Sequence, residues 1–320
     1  MSTKLTVSSS PHVHSDFSTQ KIMGMVIYSL VPAGIMGVYL LGFRSLLVII
    51  ACIAACVLCE WCWQKFIMHR KDTTGDLSAV VTGLLLAYNL PPTIPIWMAV
   101  CGSVFAIIIV KQFYGGIGCN IVNPALAARA MMLISWPTAM TTWTVQGISG
   151  ATPLAAMKAG TMPANLSWWS LISGDMGGCI GETSAILLIL GGAYLVWEGV
   201  ISARIPLTYI LTTAILSALF NHGGGMFPVH EILTGGLLLG AIFMATDYTT
   251  SPMTEKGQYI YAFGCGLLTA LIRTWGGYPE GVSVSILIMN IAVPLIDKYT
   301  EPRTLGAPKS NFFKRMGGKS

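Results

Sequence analysis

From Ile22 to Leu41 the chain runs for 20 residues without one charged side chain, the length an α-helix needs to cross the hydrocarbon core of a bilayer. This run is the first of many. Ten hydrophobic segments follow one another at roughly 22–41, 46–68, 77–90, 95–113, 120–136, 178–197, 205–220, 229–246, 258–273 and 281–297. Charged residues make up only 10% of the 320, and the mean hydropathy is +0.69, whereas a soluble domain carries about 25% charge. No small-residue cleavage site follows the first run, so it reads as a retained helix rather than a signal peptide. The alternation over about ten residues that marks a membrane β-barrel is absent. The expected fold is therefore all-α, a polytopic membrane protein of about ten transmembrane segments.

A net charge of +5 does not indicate nucleic acid, because the basic residues sit in short connections and in the tail after Lys298. With both termini on one side, fourteen of them fall on that side: Lys4, Lys21, Lys65, Arg70, Lys71, Lys111, Arg204, Lys256 and the six from Lys298 onward. Only Arg44, Lys158 and Arg273 fall on the other, and Arg129 lies within a segment. The positive-inside rule makes the first side cytoplasmic. The expected organisation is a cytoplasmic segment 1–21, a transmembrane half 22–136, an outer loop 137–177, a second half 178–297 and a basic cytoplasmic tail 298–320.

Two segments look interrupted. Segment three ends in Asn89-Leu90-Pro91-Pro92 and is short for a crossing; segment five opens with Gly115-Gly116-Ile117-Gly118-Cys119-Asn120-Ile121-Val122-Asn123-Pro124. Proline and glycine break helices, and non-helical backbone is tolerated at membrane depth only where protein or a cavity covers it. These are candidate half-helices whose ends point at a site. Val81-Thr82-Gly83-Leu84 is echoed by Leu233-Thr234-Gly235-Gly236-Leu237, and Gln112-Phe113-Tyr114-Gly115-Gly116 by Arg273-Thr274-Trp275-Gly276-Gly277. The copies run in opposite directions, which predicts two inverted five-helix repeats with the binding site at their interface.

Cys52, Cys56, Cys59 and Cys62 imitate an iron–sulfur run. On one helix, however, these spacings draw a stripe along the axis, which suits packing better than a cluster. Cys119 stands at the mouth of a broken helix. His12 and His14, and His222 and His230, read as solvated surface histidines. Ionisable residues within spans need a reason to be there; the candidates for an ion path are Glu60, Glu182 and Asp247, beside Arg129. Asp247 stands in the hydroxyl-rich break Thr246-Asp247-Tyr248-Thr249-Thr250-Ser251-Pro252, either as an interfacial helix end or as part of a ligand or cation site. There is no nucleotide-binding loop, zinc-protease motif or nucleophile elbow.

The outer loop contains Ser149-Gly150-Ala151-Thr152-Pro153. Pro153 biases Thr152 toward extended backbone, and the small residues before it leave its hydroxyl open, as a modification acceptor requires. Together with Leu90-Pro91-Pro92-Thr93-Ile94-Pro95, with the stretch from Tyr114 to Ala130 and with Phe243-Met244-Ala245-Thr246-Asp247, this pattern resembles the RnfD family of the Rnf electron-transport complex. More distantly it resembles NqrB of the sodium-pumping NADH:quinone reductase. The likeness covers nearly the whole chain. It implies FMN joined by a phosphoester to Thr152 through a flavin transferase on the periplasmic face. It also implies a second, non-covalent flavin (riboflavin or another) among the membrane helices, with Asn120, Asn123, Thr246 and Asp247 as contacts. Six residues before the acceptor, where NqrB has aspartate, this chain has Gln146.

The implied protein lies in a bacterial inner membrane, works with the other membrane and soluble components of an Rnf-type complex and is not active alone. There it relays electrons between ferredoxin and NAD, coupled to sodium or proton transport. The same inverted, broken-helix plan also suits a channel or secondary transporter for a small solute, and a structural anchor for redox partners is a third possibility.

Overall fold

A computed structural model describes residues 17–69, 74–145, 148–150, 178–220, 232–276 and 281–302. The architecture is helical. Helix α1 (Thr19–Leu41) is capped by Ser18, whose hydroxyl accepts from the Lys21 amide at 3.2 Å. Gly42, at φ +90°, turns the chain into α2 (Phe43–Cys62), which continues as a π-helix over Trp63–Met68. Then come α3 (Ser78–Tyr88), α4 (Ile96–Val104) continuing as a π-helix over Phe105–Gln112, α5 (Pro124–Ser135) and α6 (Pro137–Thr141). The second half has α7 (Ala185–Trp197) behind a 3-10 turn at Ile180–Glu182, α8 (Arg204–Phe220), and α9 (Leu237–Leu239) continuing as a π-helix over Gly240–Met244. It closes with α10 (Glu255–Trp275) and α11 (Val282–Thr300).

Three of these helices, Thr19–Leu41, Phe43–Met68 and Val282–Thr300, are long and apolar enough to cross a bilayer, and five shorter apolar ones accompany them. The protein is a polytopic membrane protein. The interruptions expected at segments three and five are present: α3 has 11 residues and α5 has 12, each roughly half the span of a bilayer core at about 1.5 Å per residue. Segment eight, which reads in sequence as a full span, is also broken, its helix running only from Leu237 to Met244 before the backbone unwinds. The unwinding is local chemistry: Ala245 ends the π-turn, and the Thr250 and Ser251 amides then turn back onto the Asp247 carbonyl.

The two halves carry matching features at opposite ends. Both α3 and α9 are entered through a left-handed residue, Leu77 at φ +63° and Gly236 at φ +66°. At one end of the bundle Trp63 packs on Phe113 with centroids 5.1 Å apart; at the other Phe220 packs on Trp275 at 5.0 Å. The half-helices α3 and α9 meet by their C-terminal ends, where the Asn89 amide donates to Met244 Sδ and the Asn123 amide to the Met244 carbonyl. Negative helix-dipole ends attract a cation. Arg129 fills that role, donating from α5 to Asn89 Oδ1 at 3.1 Å and to Ser283 Oγ at 2.8 Å.

The cysteine stripe serves packing at its inner members. Cys52 and Cys56 are buried, Cys56 against Ala79 and Ile107, while Cys62 is exposed. Beside the stripe, Gly83 brings α3 onto α2: a Cβ there would lie 2.8 Å from Ile53 Cα, a close approach of the kind small residues permit in membrane helices.

Two cations lie elsewhere than their positions along the chain suggest. Lys111, expected in a cytoplasmic connection, is 3% exposed and ion-paired inside the bundle. Arg273, expected in an outer connection, is 5% exposed and donates to the Thr234 and Gly235 carbonyls. Both stand at the end of an apolar run, where a solvated flank and a buried pair leave the same trace in sequence.

Candidate functional site

The candidate site is built where α1, α3 and α4 reach one end of the bundle beside two unwound stretches. Asn123 shapes the first stretch. Its Oδ1 accepts from the Ala125 and Leu126 amides at 3.0 and 3.3 Å, capping α5, while Pro124 supplies the preset first helical residue. Before it, Gly115, Gly116 and Gly118 all take positive φ, a backbone that residues with a Cβ rarely adopt. The second stretch follows Met244. Thr246 donates to the Ile242 carbonyl at 2.6 Å, Thr250 donates to the Asp247 carboxylate at 3.2 Å, and Asn120 faces the same carboxylate. Tyr248 donates to the Val200 carbonyl and ties this stretch to the end of α7.

Between them lies a cavity of about 340 Å³. Asn120, Asn123, Thr246 and Asp247 all line it, so the four residues singled out from two distant stretches share one site. Met23, Val26, Val81, Leu85, Leu195 and Phe243 form its apolar faces. Lys111 and Ser78 complete the polar wall. An apolar body with a few convergent polar groups, in a volume of roughly 300–1,000 Å³, is the usual form of a site for a small organic ligand.

Sequence reasoning misses Lys111 as a site residue, and with it the network that holds the lysine. Its ammonium donates to both Glu60 oxygens at 3.0 and 2.9 Å and to Ser78 Oγ at 2.6 Å, which uses all three N–H groups. Gln112 adds a bond to Glu60 at 2.9 Å and Gln64 one at 3.4 Å. Ser78 in turn donates to Asp76 Oδ1 at 2.6 Å. Gln64, Lys111 and Gln112 all lie in π-helical turns, a rare geometry that concentrates at functional sites. The available signal is a lysine at the end of an apolar run opposite a glutamate inside another.

The three ion-path carboxylates do not gather. Glu60 stands behind Lys111 and off the cavity wall, whereas Asp247 is on it. Glu182 is at the opposite end of the bundle, where a Cβ on Gly236 would come within 2.7 Å of its Oε1.

The loop that carries Thr152 is rooted at that opposite end as well. Thr93 donates to the Thr142 carbonyl at 3.2 Å, and Arg44 to the Thr93 carbonyl at 3.0 Å. From Thr142 the chain enters an antiparallel hairpin, β1 (Trp143–Val145) with β2 (Ile148–Gly150), pairing Thr144 with Ser149 and Trp143 with Gly150. This small strand pair is confined to the loop, and the fold itself is all-α as expected. Ala151 and Thr152 follow it directly and lie outside the described residues, as do Gln146, His12, His14, His222 and His230.

Residues 6–306 match the NQR2, RnfD, RnfE family. In Acetobacterium woodii, the D subunit of the Na(+)-translocating ferredoxin:NAD(+) oxidoreductase complex is 50% identical, over 95% of this chain and 96% of its own. In Clostridium ljungdahlii, the D subunit of the proton-translocating ferredoxin:NAD(+) oxidoreductase complex is 46% identical, over 94% and 96%. In Escherichia coli, the D subunit of the ion-translocating oxidoreductase complex is 35% identical, over 95% and 99%.

Proposed function

The chain belongs to the NQR2, RnfD, RnfE family, and from that membership we propose that it is a membrane subunit of a ferredoxin:NAD-linked, ion-translocating complex in a bacterial inner membrane, carrying electrons on flavin. The observation that carries this is the convergence of Asn120, Asn123, Thr246 and Asp247 on one cavity. A flavin bound there supplies the electron chemistry; the protein supplies binding, orientation and electrostatics. Met23, Val26, Val81, Leu85 and Phe243 would hold the faces of the ring and keep water from it. Asn120, Thr246 and Asp247 would meet its polar edges, while Asn123 keeps the α5 entrance in place.

A second flavin, FMN in phosphoester linkage to the Thr152 hydroxyl, is attached by a flavin transferase. The hairpin leading to Thr152 is rooted at the bundle end away from the cavity, which supports a periplasmic FMN loop and a cavity near the cytoplasmic side. The two ends are separated by the length of α1, 23 residues or about 34 Å, so carriers in partner proteins of the complex complete the route.

Of the three candidate carboxylates, Asp247 lines the cavity, which supports it as the group that couples electron passage to a sodium ion or proton. Met23→Trp, which fills the cavity, is expected to lower the acid-extractable flavin of the purified full-length chain at least tenfold and to leave covalent flavin intact. A wild-type chain without extractable flavin would contradict this site. Asp247→Asn, which keeps the shape and polar contact at the flavin edge and removes the charge, is expected to cut ion transport by the assembled complex in vesicles at least tenfold while flavin content stays constant; undiminished transport removes Asp247 from the coupling path.

A further inference from the structure

We infer that Lys111, backed by Glu60, sets the reduction potential of the flavin in the cavity; the inference rests on that cavity being the non-covalent flavin site. The pair is ordered by depth: Lys111 and Ser78 are on the cavity wall, and Glu60 is not. The cavity therefore meets the positive end of the ion pair, with the negative end turned into the bundle. Both partners are almost fully buried, Lys111 3% and Glu60 1% exposed, so solvent and salt screen this field weakly.

The ammonium is also immobile. Three hydrogen bonds, to the two Glu60 oxygens and to Ser78, fix it, and Gln112 and Gln64 fix the glutamate in turn. A charge held in place before the reaction stabilises developing charge without reorganising. Reduction adds electrons to the ring, so a fixed cation at its edge favours the reduced form. A charge placed near the ring is one of the levers by which a protein tunes a bound cofactor. Asp247 faces the same cavity with the opposite sign, so the charge on the Lys111 side decides the balance between the two walls.

The arrangement predicts shifts of opposite sign. Glu60→Gln keeps the shape and leaves the lysine charge uncompensated. The reduced-to-oxidised ratio of the non-covalent flavin at fixed applied potential should rise about tenfold, which is about 30 mV for a two-electron couple. Glu60→Gln/Lys111→Met removes both charges, and the potential should fall at least as far below that of Glu60→Gln. Lys111→Arg, which keeps the charge, should remain near wild type.

The measurement is a spectroelectrochemical titration of the purified full-length chain, with the covalent FMN as an internal reference for folding that does not move. If the double variant sheds its flavin, the sign of the Glu60→Gln shift decides alone. Unchanged potentials, shifts of the same sign or an equal shift of the covalent flavin would overturn the role of Lys111 while leaving the cavity as the flavin site. Absence of non-covalent flavin from the wild type would remove both.

Discussion

Lys111→Met as a single substitution is expected to destabilise the folded chain by about 3–5 kcal/mol, and adding Glu60→Gln is expected to recover most of that loss. What is left behind decides the cost. Taking away the ammonium strands a carboxylate that is 1% exposed, held only by the Gln112 and Gln64 amides. Stranding one member of a buried pair costs about this much, whereas neutralising both members together is often close to neutral. Ser78 keeps its own bond to Asp76, so the damage centres on Glu60. Thermal unfolding in detergent, followed by size-exclusion chromatography, would read the two variants side by side. Equal loss in the single and double variants would mean that the lysine contributes through packing, not charge.

The interruptions that border the cavity were legible in sequence because breaks in membrane helices are written in residue types. Glycine and proline before Ala125 and the hydroxyl-rich run after Met244 marked backbone that could not be lipid-facing helix. The breaks alone did not join Asn120 to Asp247, which more than 120 residues separate; the family resemblance named them for one site, and the fold puts both on one cavity. The Lys111–Glu60 pair was invisible for the opposite reason. Its partners are joined by tertiary contact across 51 positions, and π-helical winding moves Lys111 and Gln112 off the 3.6-residue period on which sequence patterns rest. The winding of segment eight was hidden too. Gly240 to Met244 is apolar throughout, and only the geometry shows that this stretch is π-wound.

The loop between the two halves illustrates a different limit. Apolar periodicity says nothing about a polar connection, and the β1–β2 pairing depends on three residues from each side of Gln146 and Gly147. At its end the open hydroxyl and small neighbours of Thr152 are compatible with an acceptor, and the FMN itself is what the family resemblance implies. Ser149 and Gly150 form the end of β2, and the strand delivers the chain to Ala151 and Thr152.

Thr152→Ala is expected to have the second large effect, and its readout is all or none. A phosphoester needs the hydroxyl, so alanine leaves no oxygen through which FMN could be joined, while a substitution in a polar loop changes stability little. The variant should therefore still reach the membrane, still bind its non-covalent flavin and lose only the covalent one. Substituting serine would restore an acceptor oxygen and with it some attachment. The most direct measurement is the flavin fluorescence of the denatured full-length chain on a gel, after coexpression with a flavin transferase. The expected result is a fluorescent band at the chain's own mass of 34.2 kDa, reduced to background in Thr152→Ala. A dark wild-type band, or an equally bright band from the alanine variant, would contradict a covalent flavin at Thr152.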